Sequence, residues 1–178
     1  MHNILAESKG KTRVLVLSSQ PSVTQLLLEV LYFHGKEFDY YLENGDSKNT
    51  NNDFVIVETS DVEKASVLEP NIVLITSELS GAQVVPVIEK ITPGGVLVYD
   101  SSISETVEQS INFFRKLEYT GIAFSKNNSN FTLHTNIGEI PILSSDENLI
   151  KTIDGLQLLS QQFGVMEEDF YEPVMGFE

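Results

Sequence analysis

Short apolar runs alternate with amphipathic or polar segments over the first hundred residues. Four runs contain consecutive aliphatic residues, and each is followed by a polar residue: Arg13–Leu17, Asp53–Glu58, Ile72–Thr76 and Val96–Tyr99. Continuous apolar character is typical of strands buried on both faces of a parallel sheet. Helical segments between the runs would supply the crossovers, so the pattern predicts a doubly wound, parallel α/β sheet with the first run near its centre.

The segments between these runs carry helix and turn signals. Apolar side chains from Val23 to Phe33 follow helical spacing, and His34 with Gly35 ends them as a left-handed cap does. We expect a short helix or an irregular crossover over Thr59–Glu69 and a helix interrupted by Pro86 over Gly81–Ile91. Phe38–Leu42 is expected to add an edge strand, and the polar segment Glu43–Asn52 is expected to be a loop or a mobile insertion. Thr92–Gly95 is a turn into the fourth run.

Beyond Asp100 the pattern changes. A helix capped by Ser102 or Ser104 is predicted to reach Leu117, and a fifth strand is predicted over Tyr119–Phe124. Short segments then predict a small antiparallel meander, at Ile122–Ser125, Phe131–His134 and Glu139–Leu143, with turns at Asn127–Asn130 and Asn136–Gly138.

Two C-terminal helices are predicted after the meander. Asp146 is a helix cap, and the first helix ends near Gly164. Its apolar stripe consists of Leu149, Ile150, Ile153, Leu156, Leu159 and Phe163. Acidic residues at Glu167–Asp169 favour the start of a last short helix, which Pro173 is expected to end.

Composition restricts the partners. The chain has 178 residues, 41% of them hydrophobic and 21% charged, which indicates one globular domain over 13–178 with a flexible N-terminus over 1–12. With 26 acidic against 11 basic residues, a net charge of -15 argues against nucleic-acid binding and repels phosphorylated molecules unless a metal intervenes. The charge is also explained by solubility alone.

Cysteine use and hydropathy bear on location. The absence of cysteine excludes disulfides, thiolate metal sites and cysteine nucleophiles, and is compatible with a reducing cytoplasm. The N-terminal segment lacks the apolar core of a signal peptide, and no stretch approaches the ~20 apolar residues that a membrane span needs. We therefore expect a cytoplasmic protein.

The turn after the first run is where an α/β chain of this kind binds phosphates. A phosphate loop uses glycines to bring backbone N–H groups close, a lysine, and a Ser or Thr on Mg²⁺. Between Ser18 and Gln25 there is neither glycine nor lysine. The hydroxyl groups of Ser18, Ser19, Ser22 and Thr24 still predict an anion site at the helix N-terminus, unless they only cap the helix.

Other candidate chemistry is sparse. Glu58, at the end of a buried run, is a candidate Mg²⁺ ligand or a plain helix-capping residue. Asp61 and Asp100 at strand ends are a candidate acid–base pair, although carboxylates end many strands without catalytic consequence. The histidines, at positions 2, 34 and 134, show no metal-ligand or catalytic-triad spacing.

The order of these elements over Arg13–Phe170 resembles the central domain of the Mur ligases, ATP-dependent amide-forming enzymes of peptidoglycan synthesis, most of all their UDP-N-acetylmuramate and muropeptide-ligating branch. Val16–Thr24 stands where the family carries V-T-G-T-x-G-K-T-T, with Ser18 and Pro21 for glycines and Ser22 for lysine. Glu58 matches the family's metal-associated glutamate.

Two further motifs resemble the family in part. Thr76–Ala82 stands where the family has T-N-(I/L)-x-x-D-H but lacks the Asp-His pair. Gly138–Leu149 resembles the segment that carries G-x-H-N-x-x-N, of which Asn148 remains, with Glu147 for the histidine and Lys151 for the second asparagine. The resemblance implies Asn148 as a nucleotide-site residue, and the length leaves no room for the family's separate UDP-binding and C-terminal domains.

Two functions follow from the resemblance. The first is a non-catalytic binding or regulatory module related to peptidoglycan synthesis, which needs no cofactor and whose partner is an unidentified protein or small molecule. The second is an ATP- and Mg²⁺-dependent UDP-N-acetylmuramate or muropeptide amide ligase, or a fragment of one, with an atypical nucleotide site. The missing glycines and lysine favour the first. The turn at Thr92–Val96 also resembles methyltransferases, but their glycine-rich cofactor loop is absent.

Overall fold

A computed structural model describes residues 2–127 and 130–178. The strands are β1 (Thr12–Leu17), β2 (Asp39–Tyr41), β3 (Ser47–Lys48), β4 (Phe54–Thr59), β5 (Ile72–Ile75), β6 (Gly95–Asp100), β7 (Phe114–Tyr119), β8 (Phe124–Asn127), β9 (Asn130–Thr135) and β10 (Gly138–Ile142). The α-helices are α1 (His2–Glu7), α2 (Pro21–Phe33), α3 (Val62–Ser66), α4 (Gly81–Ile88), α5 (Ser104–Gln109), α6 (Glu147–Gln161) and α7 (Glu167–Gly176), and a 3₁₀ helix spans Ser101–Ile103.

The chain divides into two compact units. The sheet unit contains residues up to Ser19 and Glu37–Tyr119, and the helix–meander unit contains Gln20–Lys36 and Thr120–Glu178. A single domain over residues 13–178 stays a prediction. Among the described residues, no helix has the length and apolar character needed to cross a bilayer.

The sheet unit contains seven strands in the order β3-β2-β4-β1-β5-β6-β7. Every neighbouring pair is parallel except β2 with β3, and β1 pairs with both β4 and β5. Val14–Leu17 in β1 are fully buried, as expected for a strand covered on both faces. The parallel α/β sheet with β1 at its centre is thus confirmed.

Residues 1–12, which the sequence predicts as a flexible terminus, contain α1. Ile4 and Leu5 are partly buried and pack against the apolar core of the sheet unit. The Tyr41 hydroxyl also donates to the Glu7 carboxylate. Apolar contact and a hydrogen bond therefore tie this segment to the sheet, whereas its mixed composition alone gave no such signal.

Two strand predictions in the sheet unit need correction. β2 is not an edge strand, because β3 forms inside the segment 43–52 that was predicted as a loop and pairs with β2 on its outer side. The helix predicted to reach Leu117 ends at Gln109, and β7 follows. In β7 the side chains of Phe114 and Tyr119 are buried while those between them are more exposed, which suits an edge strand.

The break between α5 and β7 has a local cause. The side-chain amide of Asn112 donates to the carbonyl oxygens of Ile88 at 3.0 Å and Ile91 at 2.8 Å. These bonds hold Asn112 against the end of α4, in the segment between the end of α5 and the start of β7. The predicted fifth strand therefore starts at Phe114 rather than Tyr119, and Phe124 begins β8 instead.

The helix–meander unit contains the antiparallel sheet β10-β9-β8 and the helices α2, α6 and α7. The predicted meander is confirmed, while part of its first turn, at Asn128 and Ser129, lies outside the described residues. Asp146 caps α6 by accepting from the amides of Asn148 and Leu149. Five of the six predicted stripe residues are at most 1% exposed, and the sixth, Phe163, is 9% exposed.

Pro173 lies inside α7, so the prediction that it ends this helix is wrong. A proline cannot donate to the carbonyl group four residues earlier, which here is that of Asp169. The Nε2 atom of His34 lies 2.9 Å from this carbonyl oxygen. Since a carbonyl only accepts, His34 donates from Nε2 and satisfies the oxygen that Pro173 leaves without its helical partner.

Replacing Leu156 by alanine tests the core of the helix–meander unit. Leu156 is fully buried in α6, so its truncation should lower the free energy of unfolding by about 2–5 kcal/mol through lost burial and a cavity. The measurement is urea denaturation, with Gln161→Ala on the exposed face of the same helix as the control. An L156A midpoint equal to that of the control would contradict the packing described.

Candidate functional site

The carboxyl ends of β4, β1 and β5 meet at one edge of the sheet unit. In doubly wound sheets, ligands bind at this edge, near the strand where the connections change direction. That strand is β1, since β2 and β4 lie on one side of it and β5 to β7 on the other. Its end is held by two bonds, from the Ser18 amide to the Thr59 carbonyl at 3.2 Å and from the Thr76 amide to the Leu17 carbonyl at 3.3 Å.

The turn at the end of β1 is bound to a carboxylate of the chain itself. Glu78 Oε1 accepts from Ser18 Oγ at 2.8 Å, from the Ser19 amide at 2.8 Å and from Ser19 Oγ at 3.3 Å. Ser18 is buried, while Ser19 and Glu78 are exposed. Two of the five residues predicted to bind an anion, Ser18 and Ser19, therefore donate hydrogen bonds to an anionic group. That group is the carboxylate of Glu78, within the same chain.

The position of Glu78 follows from how β5 ends. Thr76 continues the line of β5 beside Leu17, and a turn closed by the Leu79 amide and the Thr76 carbonyl brings Glu78 back towards β1. Glu78 as a whole is exposed, but partial desolvation of its carboxylate raises its pKa. Hydrogen bonds from the Thr76 hydroxyl, the Ser19 amide and Ser18 outweigh this effect and lower the pKa below the ordinary glutamate value. Glu78 is thus negatively charged at neutral pH.

The other predicted anion-binding residues lie in the helix–meander unit. Ser22 Oγ donates to Asp146 Oδ2 at 2.7 Å, and Asn148 is exposed at the start of α6. Thr24 is fully buried, and its hydroxyl oxygen has no hydrogen-bond partner among the described residues. At the start of α2, Pro21 has no N–H to offer a phosphate.

Glu58, the predicted metal ligand, is 7% exposed near the end of β4. The Glu43 amide donates to Glu58 Oε2 at 3.2 Å, and both residues line a cavity of about 200 Å³. The Glu43 carboxylate accepts from the Ser60 amide and hydroxyl, each at 3.0 Å. Sequence reasoning missed Glu43, because a glutamate in a polar loop carries no signal of its partners.

The residues available for Mg²⁺ do not make a complete site. In the described part of the chain, no group of three or more His, Cys, Asp or Glu side chains is placed to hold a metal ion. Glu58 and Glu43 offer carboxylates, but Glu43 already accepts from Ser60. A magnesium ion there would need most of its oxygen ligands from water or from substrate phosphates.

The charges near this edge are mainly negative. Acidic side chains at or just beyond the strand ends are Glu43, Glu58, Asp61, Glu78, Asp100 and Glu118. Lys64, in the α3 crossover, is paired with Asp61 at 3.3 Å. Lys9, Lys11 and Arg13 flank the start of β1, at the opposite edge, where Lys11 binds the buried Asp39 at 2.9 Å. The field at the carboxyl edge therefore opposes the approach of a polyanion.

The remaining candidates have structural partners. Asp61 caps α3, and Asp100 caps the 3₁₀ helix by accepting from the Ser102 amide at 2.9 Å. His134 Nδ1 lies 3.5 Å from a carboxylate oxygen of Glu139, on the neighbouring strand. Asp61, Asp100 and His134 therefore each interact with a nearby group of the chain.

This architecture also occurs in proteins of known structure, although the sequences differ widely. No family model and no curated protein matches the sequence. Solved structures do match, at low sequence identity. UDP-N-acetylmuramoylalanyl-D-glutamyl-2,6-diaminopimelate–D-alanyl-D-alanyl ligase from Acinetobacter baumannii superimposes with a TM-score of 0.69 and 11% identity, over 98% of this chain and 48% of that one. The chain thus spans about half the length of that ligase.

Two other structures support the same assignment. UDP-N-acetylmuramate:L-alanyl-gamma-D-glutamyl-meso-diaminopimelate ligase from Neisseria meningitides gives a TM-score of 0.71 with 12% identity, over 99% of this chain and 68% of that one. MurF ligase from Thermotoga maritima, in complex with ADP, gives 0.66 with 10% identity, over 96% and 51%. The similarity inferred from the order of elements is confirmed at the level of fold: this chain has the α/β fold of the Mur ligases.

Proposed function

We propose that this chain is a non-catalytic binding or regulatory module on the Mur ligase fold, related to peptidoglycan synthesis, in which Glu78 takes the place of a nucleotide phosphate. The supporting observation is the set of bonds from Ser18 and Ser19 to Glu78 Oε1. The link to peptidoglycan rests on the named activities of the similar ligases. A cytoplasmic location suits a cysteine-free chain of this fold.

The Glu78 carboxylate competes directly with a phosphate. A nucleotide at the β1 turn would need the donors of Ser18 and Ser19, so it would have to displace Glu78 and leave that charge beside its own. Two unit charges 4 Å apart repel by ~1 kcal/mol in water and by ~4 kcal/mol at the effective dielectric constant of a protein surface. A triphosphate, with several negative charges, would meet a larger repulsion.

Nothing in the sequence of the β1 turn compensates for this repulsion. Phosphoryl transfer depends almost entirely on positioning and on stabilising charge, which a phosphate loop provides through its lysine and its closely approaching amides. Here Ser22 stands at the lysine position and Pro21 at a glycine position. A Mg²⁺ ion held by Glu58 would offset only part of this repulsion, because no group of three or more His, Cys, Asp or Glu side chains in the described chain is placed to hold a metal ion. We therefore propose that no ATP cofactor is used.

Calorimetry with Mg-ATP tests this proposal against the alternative of an active ligase with an atypical nucleotide site. We expect no saturable heat at millimolar nucleotide, no phosphate release, and no change in the melting temperature. A nucleotide at a hundred times its dissociation constant would instead stabilise the fold by about 2.7 kcal/mol. Saturable binding accompanied by phosphate release would establish the alternative.

Replacing Glu78 by glutamine tests the bond network itself. The variant keeps the shape but loses the charge, and hydrogen bonds to charged groups are the stronger ones. Because Glu78 is exposed, we expect a loss of only about 0.5–1 kcal/mol in the free energy of unfolding at pH 7. The control is Glu29→Gln on the exposed face of α2, which changes the net charge equally.

The difference between wild type and E78Q should depend on pH in one direction. Since the pKa of Glu78 is lowered in the folded state, its contribution is complete above the unfolded pKa of about 4.3 and is lost as the pH falls through the folded pKa. Denaturation curves of the two proteins should therefore converge in acid. Equal stabilities of E78Q and wild type at pH 7 would contradict the network.

A further inference from the structure

A second cavity lies in the helix–meander unit, apart from the turn at β1. It has a volume of about 230 Å³, and its walls come from the segment before β8, the end of β9, α6 and α7. Gly121 has a φ of 80°, and a Cβ atom added there would lie 3.3 Å from the Lys151 carbonyl oxygen. The chain thus passes close to α6 and forms one wall of the cavity.

Tyr171 is the buried polar side chain that lines this cavity. It is 3% exposed, and its ring packs edge-on against Phe170 with centroids 5.2 Å apart. Its hydroxyl group makes no hydrogen bond to any described residue, although it shares the cavity wall with carboxylates. The hydroxyl oxygen is accessible from the cavity rather than sealed in the core, so a ligand in the cavity can reach it and form a hydrogen bond with it.

Carboxylates from two helices line the same space, Asp154 from α6 and Glu167 from the start of α7. Burial raises the pKa of Asp154, and the backbone amide of Thr120 offsets this in part. Burial also raises the pKa of Tyr171, and the negative charges of Glu167 and Asp154 raise it further, so its phenol stays protonated. Among the described residues that line the cavity there is no lysine or arginine, and the histidine that lines it, His134, lies 3.5 Å from a carboxylate oxygen of Glu139.

These groups favour one ligand chemistry. A primary ammonium group carries three N–H donors and no acceptor, which matches two carboxylates and a hydroxyl oxygen. A bare metal ion is a poorer match, because no three His, Cys, Asp or Glu side chains in the described chain are placed to hold one. The net charge of -15 also favours the approach of a cation.

We propose that this cavity binds a small organic ammonium compound, whose N–H groups donate to Asp154, Glu167 and the Tyr171 hydroxyl. The volume is below the range of drug-sized pockets, about 300–1,000 Å³, so the ligand has the size of a short alkylamine. This site is independent of the proposed function, because it uses none of the residues at the β1 turn.

The test is a titration of the full-length protein with n-butylammonium, followed by the amide resonances of Gly121 and Asp154 at low ionic strength. n-Butanol has the same carbon chain without charge, and tetramethylammonium has the charge without N–H donors. We expect saturable shifts with n-butylammonium alone. Tyr171→Phe, which removes only the hydroxyl, and Asp154→Asn should each weaken binding at least fivefold.

The control variant is Glu168→Gln, on the exposed side of the same helix turn as Glu167. It should bind n-butylammonium as wild type does, because it changes the net charge without touching the cavity. The proposal is overturned if n-butylammonium causes no shift, if n-butanol or tetramethylammonium binds equally well, or if neither Y171F nor D154N weakens binding. Thermal unfolding of Y171F and D154N shows whether each variant is folded. If only one of them folds, its affinity for n-butylammonium alone decides the test.

Discussion

The turn that follows β1 depends on how its hydrogen-bond donors are satisfied. β1 is the central strand, so its carboxyl end is fixed by pairing with β4 on one side and β5 on the other. The donors of Ser18 and Ser19 are thereby directed to one place, and Glu78 Oε1 accepts all three bonds. In a nucleotide-binding protein of this architecture such donors would bind phosphate. An internal carboxylate at this position stabilises the turn without a ligand.

The surrounding charges are consistent with this arrangement. A phosphate site concentrates positive charge at the carboxyl edge of the sheet, whereas this edge has Glu43, Glu58 and Glu78. The basic residues near β1 lie at its other end, where Lys11 forms a salt bridge with the buried Asp39. Partial burial alone would raise the pKa of Glu78, so its lowered pKa reflects hydrogen bonds that favour the ionised form. The site is organised around a negative charge that the protein supplies.

Much of the fold could be predicted from periodicity, because strands buried on both faces require continuous apolar runs. β1, β4, β5 and β6 have that signature, and α6 has the 3.6-residue stripe. The continuous apolar run is less clear in β7, because an edge strand tolerates charged residues. The sequence from Phe114 to Tyr119 therefore fits a helix nearly as well as a strand. The end of α7 was mispredicted because the carbonyl group affected by Pro173 is satisfied by His34, 135 residues away in sequence.

The candidate site was predictable in part. The absence of glycine and lysine after β1 is visible in the sequence, and it indicates altered phosphate chemistry at the correct turn. Glu78 was not predictable, because it lies 60 residues from Ser18 and comes into contact only through the pairing of β1 with β5. Glu43 and Tyr171 were missed for the same reason, since neither belongs to a local motif. Local patterns find elements, while long-range contacts decide what the site can bind.

The most direct measurement of the central claim is the chemical shift of the Ser19 amide as the pH is lowered and as Mg-ATP is added. If the Glu78 carboxylate holds this amide, its resonance should move with an inflection at the lowered pKa of Glu78, below the ordinary glutamate value. At neutral pH it should not respond to Mg-ATP. A Ser19 amide that shows no acid inflection, or that shifts saturably with Mg-ATP at neutral pH, would contradict the account.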